Sequence, residues 1–226
     1  KGRRAVGTFL LILPTRDWVA GMRGVAGSGA LLDCNGGLIK NATGYDFRHL
    51  MIGSEGTLGL IGELDMYLAP QPQPQVVMVV GVLEVTDLLN ILNGFNDRLT
   101  LSAFEFFSDL ALQKVQAHRQ LPAPLENRVE NYALLEFDES DLPMAEEAFA
   151  YCMDQGWLVD AVVSQSQAQG ASLWQLREGI SEGLAPHTPY KNDLSVRISE
   201  VPASLADVDR YVQEGYPDFE VCWYGH

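Results

Sequence analysis

The stretch Lys40-Asn41-Ala42-Thr43-Gly44-Tyr45-Asp46, running on to Ile52-Gly53-Ser54-Glu55-Gly56-Thr57-Leu58-Gly59-Leu60-Ile61, decides how this chain is read. It holds four of the 21 glycines, interleaved with small hydroxyl residues and two acids, Asp46 and Glu55. Glycine admits a positive φ and lets another molecule approach the main chain closely. Turns of this composition present backbone N–H groups in concavities that hold phosphate oxygens. No Gly-Lys-Ser/Thr follows, so the stretch is not a P-loop, and the G-x-G-x-x-G spacing of dinucleotide-binding Rossmann turns is absent. Spacing alone also fits a pair of ordinary tight turns.

The whole string KNATGYDFRHLMIGSEGTLGLI closely resembles the end of the flavin-binding domain in flavoproteins of the vanillyl-alcohol-oxidase type. Within them it is most similar to the branch of D-lactate, glycolate and D-2-hydroxyglutarate dehydrogenases. The resemblance implies that Gly53, Ser54, Glu55, Gly56, Thr57, Gly59 and Ile61 line FAD, with Asn41 and Gly44 close by. It begins at Thr15, where TRDWVAGMRGVAGSGALLD reads as a turn, a strand, a Gly-Ser-Gly hairpin and a second strand. Residues 1–14, KGRRAVGTFLLILP, do not match it, and the expectation is a fragment with an aberrant start.

Charge divides the chain. Residues 1–60 hold seven Lys/Arg against four Asp/Glu, and residues 61–226 hold eight against 26, for a net charge of −15. An acidic second part argues against nucleic acid as a partner. The apolar run Val6–Leu13 is too short to cross a bilayer, which takes roughly 20 residues. Three widely spaced cysteines, Cys34, Cys152 and Cys222, read as free thiols in a reducing compartment, so a cytoplasmic location is expected. The oligomeric state is left open, a homodimer included.

Ala69-Pro70-Gln71-Pro72-Gln73-Pro74-Gln75 cannot continue a helix or a central strand. It marks a linker over 70–75 between the end of a flavin-binding domain (1–69) and a second domain (76–226). Before the linker, Leu31–Ile39 reads as a hairpin turning at Asn35-Gly36-Gly37, Arg48–Met51 as a helical turn and Leu58–Leu68 as a strand. After it, strands are expected at Val76–Leu83, Ser102–Phe107, Tyr132–Asp138, Leu158–Val163, Asn192–Ile198 and Phe219–Tyr224. Helices are expected at Val85–Asp97, Ser108–His118 with Ser108 as N-cap, Leu142–Gln155, Gln167–Leu184 and Pro202–Gln213. The fold class is α+β. The resemblance implies a ferredoxin-like αβ domain with a large antiparallel sheet, the C-terminal substrate domain of FAD-linked oxidases, truncated at its end.

In Trp174-Gln175-Leu176-Arg177-Glu178-Gly179-Ile180-Ser181, Arg177 and Ser181 stand at i, i+4 and share a helix face. A guanidinium can grip a carboxylate with two hydrogen bonds, and a hydroxyl one turn on can add a third. By spacing alone, a surface arginine paired with Glu178 or Glu182 is the simpler reading. The resemblance shifts the balance: it gives Arg177, Ser181 and Lys191, of Lys191-Asn192-Asp193-Leu194-Ser195, to the substrate carboxylate. Arg197 stands where the family usually has proline. The chain ends on Gly225-His226, which in the family opens a segment whose histidines, with a later glutamate, hold zinc or manganese. His226 is thus the one metal ligand expected here, and the base is expected beyond the chain end. His49 reads as structural, His118 as a helix-end residue, and His187 stays open.

The activity this implies is FAD-dependent oxidation of a D-2-hydroxy acid such as D-lactate, glycolate or D-2-hydroxyglutarate. The alternatives are an inactive fragment and a small αβ module that binds a carboxylate without flavin.

Overall fold

The computed structural model describes residues 15–34, 38, 40, 42–69, 71 and 73–226. Residues 1–14, the Asn35-Gly36-Gly37 turn with Ile39, the candidate Asn41, and Pro70 and Pro72 of the expected linker lie outside the described residues. Those described fall into two compact units, divided between residues 72 and 73.

The smaller unit is a three-stranded antiparallel sheet in the order β2-β1-β3, with β1 at Val19–Ala26, β2 at Leu31–Cys34 and β3 at Gly59–Met66. The Gly27-Ser28-Gly29 turn closes the first hairpin: Gly29 has φ 82°, and its N–H donates to the Ala26 carbonyl at 2.9 Å. A short helix, α1 (Phe47–Met51), lies against β1. Asp46 caps it by accepting from the His49 N–H, and Arg48 ties it to the strand by donating to the carbonyls of Val19 and Ala20 at 2.6 and 2.9 Å. Val19, Met22 and Met51 form its small buried core.

The larger unit is a five-stranded, wholly antiparallel sheet in the order β7-β4-β6-β5-β8. Its strands are β4 (Gln75–Val82), β5 (Leu101–Ser108), β6 (Asn131–Asp138), β7 (Asp160–Val163) and β8 (Tyr224–Gly225). Helix α2 (Asp87–Asn96) links β4 to β5, α3 (Asp109–Arg119) follows β5, and α4 (Leu142–Asp154) links β6 to β7. The first four strands therefore stand in ferredoxin-like order, β4 and β5 separated by the β6 that inserts between them.

Period-two alternation sends the side chains of the central strands to two cores. Val76, Met78, Val80, Leu101, Phe104, Leu135 and Phe137 pack with α2 and α4. Val77, Val79, Ala103, Phe107, Tyr132 and Leu134 pack on the other face with α3, α5 (Gln167–Glu178) and α6 (Ile180–Leu184). Ser108 begins α3 as expected, its hydroxyl accepting from the Ala111 N–H. It also accepts from the Trp223 N–H at 3.2 Å, so the same residue anchors the approach to β8.

Three expectations are corrected. The helix over Gln167–Leu184 is broken at Gly179 into α5 and α6, where a side chain would strike the Gln175 carbonyl and the Arg119 guanidinium. Asn192–Ile198 is not a strand. Its alternation of Leu194, Val196 and Ile198 suits one, but all three are exposed, and a strand without a hydrogen-bonded neighbour has no ladder to satisfy its backbone. The final strand is only Tyr224–Gly225, paired with Phe107 and Phe106, while Phe219 packs on Tyr216. Helix α7 (Val201–Gly215) forms as expected. No helix among the described residues is long and apolar enough to cross a membrane.

Candidate functional site

The larger unit brings Arg177 and Ser181 together, on the sheet face covered by α5 and α6. Arg177 ends α5, and its Nη2 lies 2.9 Å from Oε2 of Glu105, in the middle of β5. The pair is deep, with side-chain exposures of 13% for Arg177 and 2% for Glu105. The guanidinium also lies over the Tyr224 ring, 4.9 Å from its centroid, and the Tyr224 hydroxyl is 3.2 Å from Ser181 Oγ. Arginine, hydroxyl and phenol thus meet around one point, although the arginine pairs with neither Glu178 nor Glu182. Glu182 instead pairs with Arg119. Helix α6 reaches this position because residue 183 is glycine: a Cβ there would stand 2.9 Å from the Lys114 carbonyl of α3.

One turn before Arg177, Trp174 Nε1 donates to Glu136 Oε2 at 2.8 Å. Glu136 on β6 pairs with Ala103, two positions from Glu105 on the adjacent strand, so both carboxylates occupy the same sheet face under α5. Helix α5 is therefore fastened at i and i+3 to two acids set into an apolar surface. Burial pushes both carboxyls up: Glu136 by loss of solvation despite the indole N–H, and Glu105 to about 7 because desolvation outweighs the attraction of Arg177. Among the described residues, two buried side-chain atoms lack a hydrogen bond: Arg177 Nε, and Glu105 Oε2, whose 2.9 Å contact with Arg177 Nη2 is an ion pair without hydrogen-bond geometry.

A raised folded-state value means that the native state binds the proton more tightly than the unfolded chain does. The stability from Glu105 is therefore fully present below about 4.5 and is lost as pH rises through about 7. The loss is on the order of 3 kcal/mol for this one group. Urea midpoints at about pH 5 and about pH 8 should differ in this direction for the native chain, and the difference should shrink in Glu105→Gln. Equal slopes in the two proteins would show that Glu105 does not titrate in this window.

Sequence reasoning missed both glutamates, yet the signal was present. Phe104-Glu105-Phe106 and Leu135-Glu136-Phe137 each set one acid in the middle of an apolar run that forms a central strand. A charged residue at such a position needs a partner, because an unpaired buried charge is costly.

His226 follows β8. Pairing of Phe107 with Tyr224 and Phe106 with Gly225, carried one residue on, sets His226 opposite Glu105. It is exposed. No group of three or more His, Cys, Asp or Glu able to hold a metal occurs among the described residues, so His226 does not by itself make a metal centre here. Lys191 is exposed in the irregular stretch before α7.

In the smaller unit the glycine-rich stretch is a succession of tight turns. Gly44, Gly53, Glu55 and Gly56 all have positive φ, of 76°, 89°, 51° and 80°. Thr57 closes one turn by donating its hydroxyl to the Ser54 carbonyl at 2.6 Å and its N–H to the same oxygen at 3.0 Å. Gly59 and Ile61 lead into β3, paired with Ala26 and Gly24. The amides of Ile52, Ser54 and Thr57 are spent inside the turns, on the carbonyls of Arg48, Met51 and Ser54.

The family described as "FAD linked oxidases, C-terminal domain" matches residues 71–226. Among curated proteins, a D-2-hydroxyglutarate dehydrogenase of Stutzerimonas stutzeri is 51% identical over 215 residues, covering 94% of this chain and 46% of its own length. The mitochondrial D-2-hydroxyglutarate dehydrogenase of Rattus norvegicus is 31% identical, with 96% and 42% covered. The chain spans about half the length of the curated relatives it matches. Among solved structures, an alkyldihydroxyacetonephosphate synthase aligns with a TM-score of 0.64 over 96% of this chain and 43% of its own, at 14% identity. A 4-ethylphenol oxidase from Gulosibacter chungangensis aligns with a TM-score of 0.58 over 92% of this chain and 49% of its own, at 13% identity, and at such identities the likeness speaks for the fold. A match to the family over more than half of the chain, together with the ferredoxin-like sheet, places this protein among the FAD linked oxidases, as a bearer of their C-terminal domain.

Proposed function

We propose that this chain is part of an FAD-dependent dehydrogenase that oxidises a D-2-hydroxy acid, with D-2-hydroxyglutarate as the substrate. The observation that carries the reading is the half-buried guanidinium of Arg177, fixed against Glu105 and over Tyr224, whose hydroxyl meets that of Ser181. A carboxylate is the ligand that would satisfy such a donor, and a planar fork gives it orientation as well as charge. Ser181 and Lys191 are the proposed additional contacts to that carboxylate. The choice among hydroxy acids rests on the similarity to proteins named D-2-hydroxyglutarate dehydrogenase.

The turns at Gly44, Gly53, Ser54, Glu55, Gly56, Thr57, Gly59 and Ile61 are proposed to hold FAD, with Asn41 beside them. When bound, FAD supplies the two-electron acceptor, and the protein supplies binding, orientation and electrostatics. The chain's own part is to fix the acid end of the substrate so that its carbinol carbon is presented in one orientation. The three free cysteines, none in a disulfide, support the cytoplasm as the compartment.

The test is anaerobic mixing of the flavin-loaded whole enzyme of which this chain is proposed to be part with D-2-hydroxyglutarate, its L enantiomer, D-lactate and glycolate. Bleaching of the oxidised flavin band by D-2-hydroxyglutarate, and not by the L form, is the expected result. Bleaching by D-lactate or glycolate alone would reassign the substrate, and no bleaching by any of the four would overturn the function.

A further inference from the structure

We infer that Glu105 is the positioning residue of the site: it sets the aim of Arg177 before any ligand arrives, without touching the ligand itself. The inference rests on the reading of Arg177 as the carboxylate grip.

Glu105 sits in a place where stability favours an apolar residue. Its neighbours along the strand are Phe104 and Phe106, and the sheet face around it carries Ala103, Phe107, Tyr132 and Leu134, all buried. Replacing a buried ion pair by well-packed apolar groups is often neutral or stabilising, so stability alone does not account for a glutamate here. What the pair does accomplish is geometric. Glu105 holds Nη2 from the sheet floor, the Tyr224 ring supports the guanidinium plane, and the Trp174–Glu136 hydrogen bond fixes the helix one turn earlier. These contacts hold the guanidinium at Nη2 and against the ring, while Nε makes no hydrogen bond. A long, flexible side chain is thereby ordered in advance, and a ligand that meets an ordered partner loses less freedom on binding. Glu136 has a different task, since it reaches only the indole. Glu105 is the acid that touches the arginine.

The experiment compares the flavin-loaded protein with Glu105→Gln, Arg177→Lys and the double variant, by steady-state kinetics with D-2-hydroxyglutarate. It adds side-chain NMR of the arginine Nε–H signals, with the Arg177 signal assigned by its loss in Arg177→Lys. A positioning role predicts that Glu105→Gln raises KM by about tenfold or more while kcat changes by less than about threefold. The double variant is then no worse than Arg177→Lys alone, because both changes act through one guanidinium. The Arg177 Nε–H signal, sharp in the native protein, broadens or shifts in Glu105→Gln. An unchanged KM, losses that multiply in the double variant, or an unaltered Nε–H signal would each overturn the inference. Should Glu105→Gln not fold, Glu105→Asp carries the same test, since it keeps the charge and withdraws the carboxylate by one methylene. If the native protein oxidises no hydroxy acid, the proposed function fails, and the Nε–H signal still decides whether Glu105 orders Arg177.

Discussion

Arg177→Met is expected to destabilise the larger unit by about 3–5 kcal/mol near neutral pH and to weaken carboxylate binding by about 10- to 100-fold. The stability loss follows from what is left behind. Glu105 is 2% exposed, and among the described residues its ion pair is with Arg177, so the substitution strands a buried carboxylate among Ala103, Phe107 and Leu134. The group can escape by taking up a proton, and its value is already pushed up to about 7 with the arginine in place. Without the arginine it moves higher still. The cost should therefore be larger in alkaline than in mildly acidic buffer, where native and variant both hold the proton. Arg177→Lys separates charge from shape. It keeps a cation near Glu105 and should recover part of the stability, but it loses the fork and the flat contact with Tyr224, so binding should stay weak. Urea denaturation across the neutral range and a titration with D-2-hydroxyglutarate check both halves. A methionine variant as stable as the native protein in alkaline buffer would show that Glu105 finds solvent or another partner, and that the pair is not the keystone of this face.

Much of this architecture was legible from local signals that tertiary packing does not override. Ser108 reads as an N-cap because a β-region serine followed by helix formers has few other uses, and it caps α3. Val76–Leu83 reads as a strand because nothing polar interrupts it, and β4 is found there and is buried almost throughout. The glycines at 53 and 56 read as turns, and positive φ is found at both. The failures have physical causes of their own. Leu194, Val196 and Ile198 alternate as a strand should, but alternation describes a surface and cannot supply the neighbour a strand needs. Gly179 stands inside a helical pattern that tolerates glycine, and only the packing of Arg119 against it shows that a side chain has no room there. The convergence of Arg177 with Ser181 was legible as an i, i+4 spacing. Its partner Glu105 lies 72 residues earlier and becomes visible only when β5 is seen to run beneath α5.

Gly59→Ala is the second substitution with a large expected effect, and it separates steric from conformational demand in the glycine-rich stretch. A Cβ at residue 59 would stand 2.4 Å from the Val25 carbonyl and 3.2 Å from the Ala26 Cα, with the Met51 methyl at 3.0 Å. The methionine can swing aside; the two backbone atoms belong to β1, which pairs with β3 at this point through Ala26 and Gly59. Accommodating the methyl means prising the two strands apart where the turns enter the sheet, and with them Met51, which with Val19 and Met22 is the buried core of the unit. Overpacking of this kind costs about 1–3 kcal/mol where side chains can yield, and more where backbone must. A three-stranded sheet with so small a core has little in reserve, so the expected outcome is loss of the smaller unit's fold, together with the flavin proposed to bind there. Gly56→Ala is the contrast. Residue 56 also has a left-handed backbone, φ 80°, but a Cβ there meets nothing within 4 Å. It should cost only the strain of a non-glycine residue in that region, about 1–2 kcal/mol. Flavin content per chain and thermal denaturation of the flavin-loaded variants distinguish the two. If Gly59→Ala keeps its flavin and melts alongside Gly56→Ala, the approach of β1 to residue 59 is looser than 2.4 Å implies, and the glycine serves the turn alone.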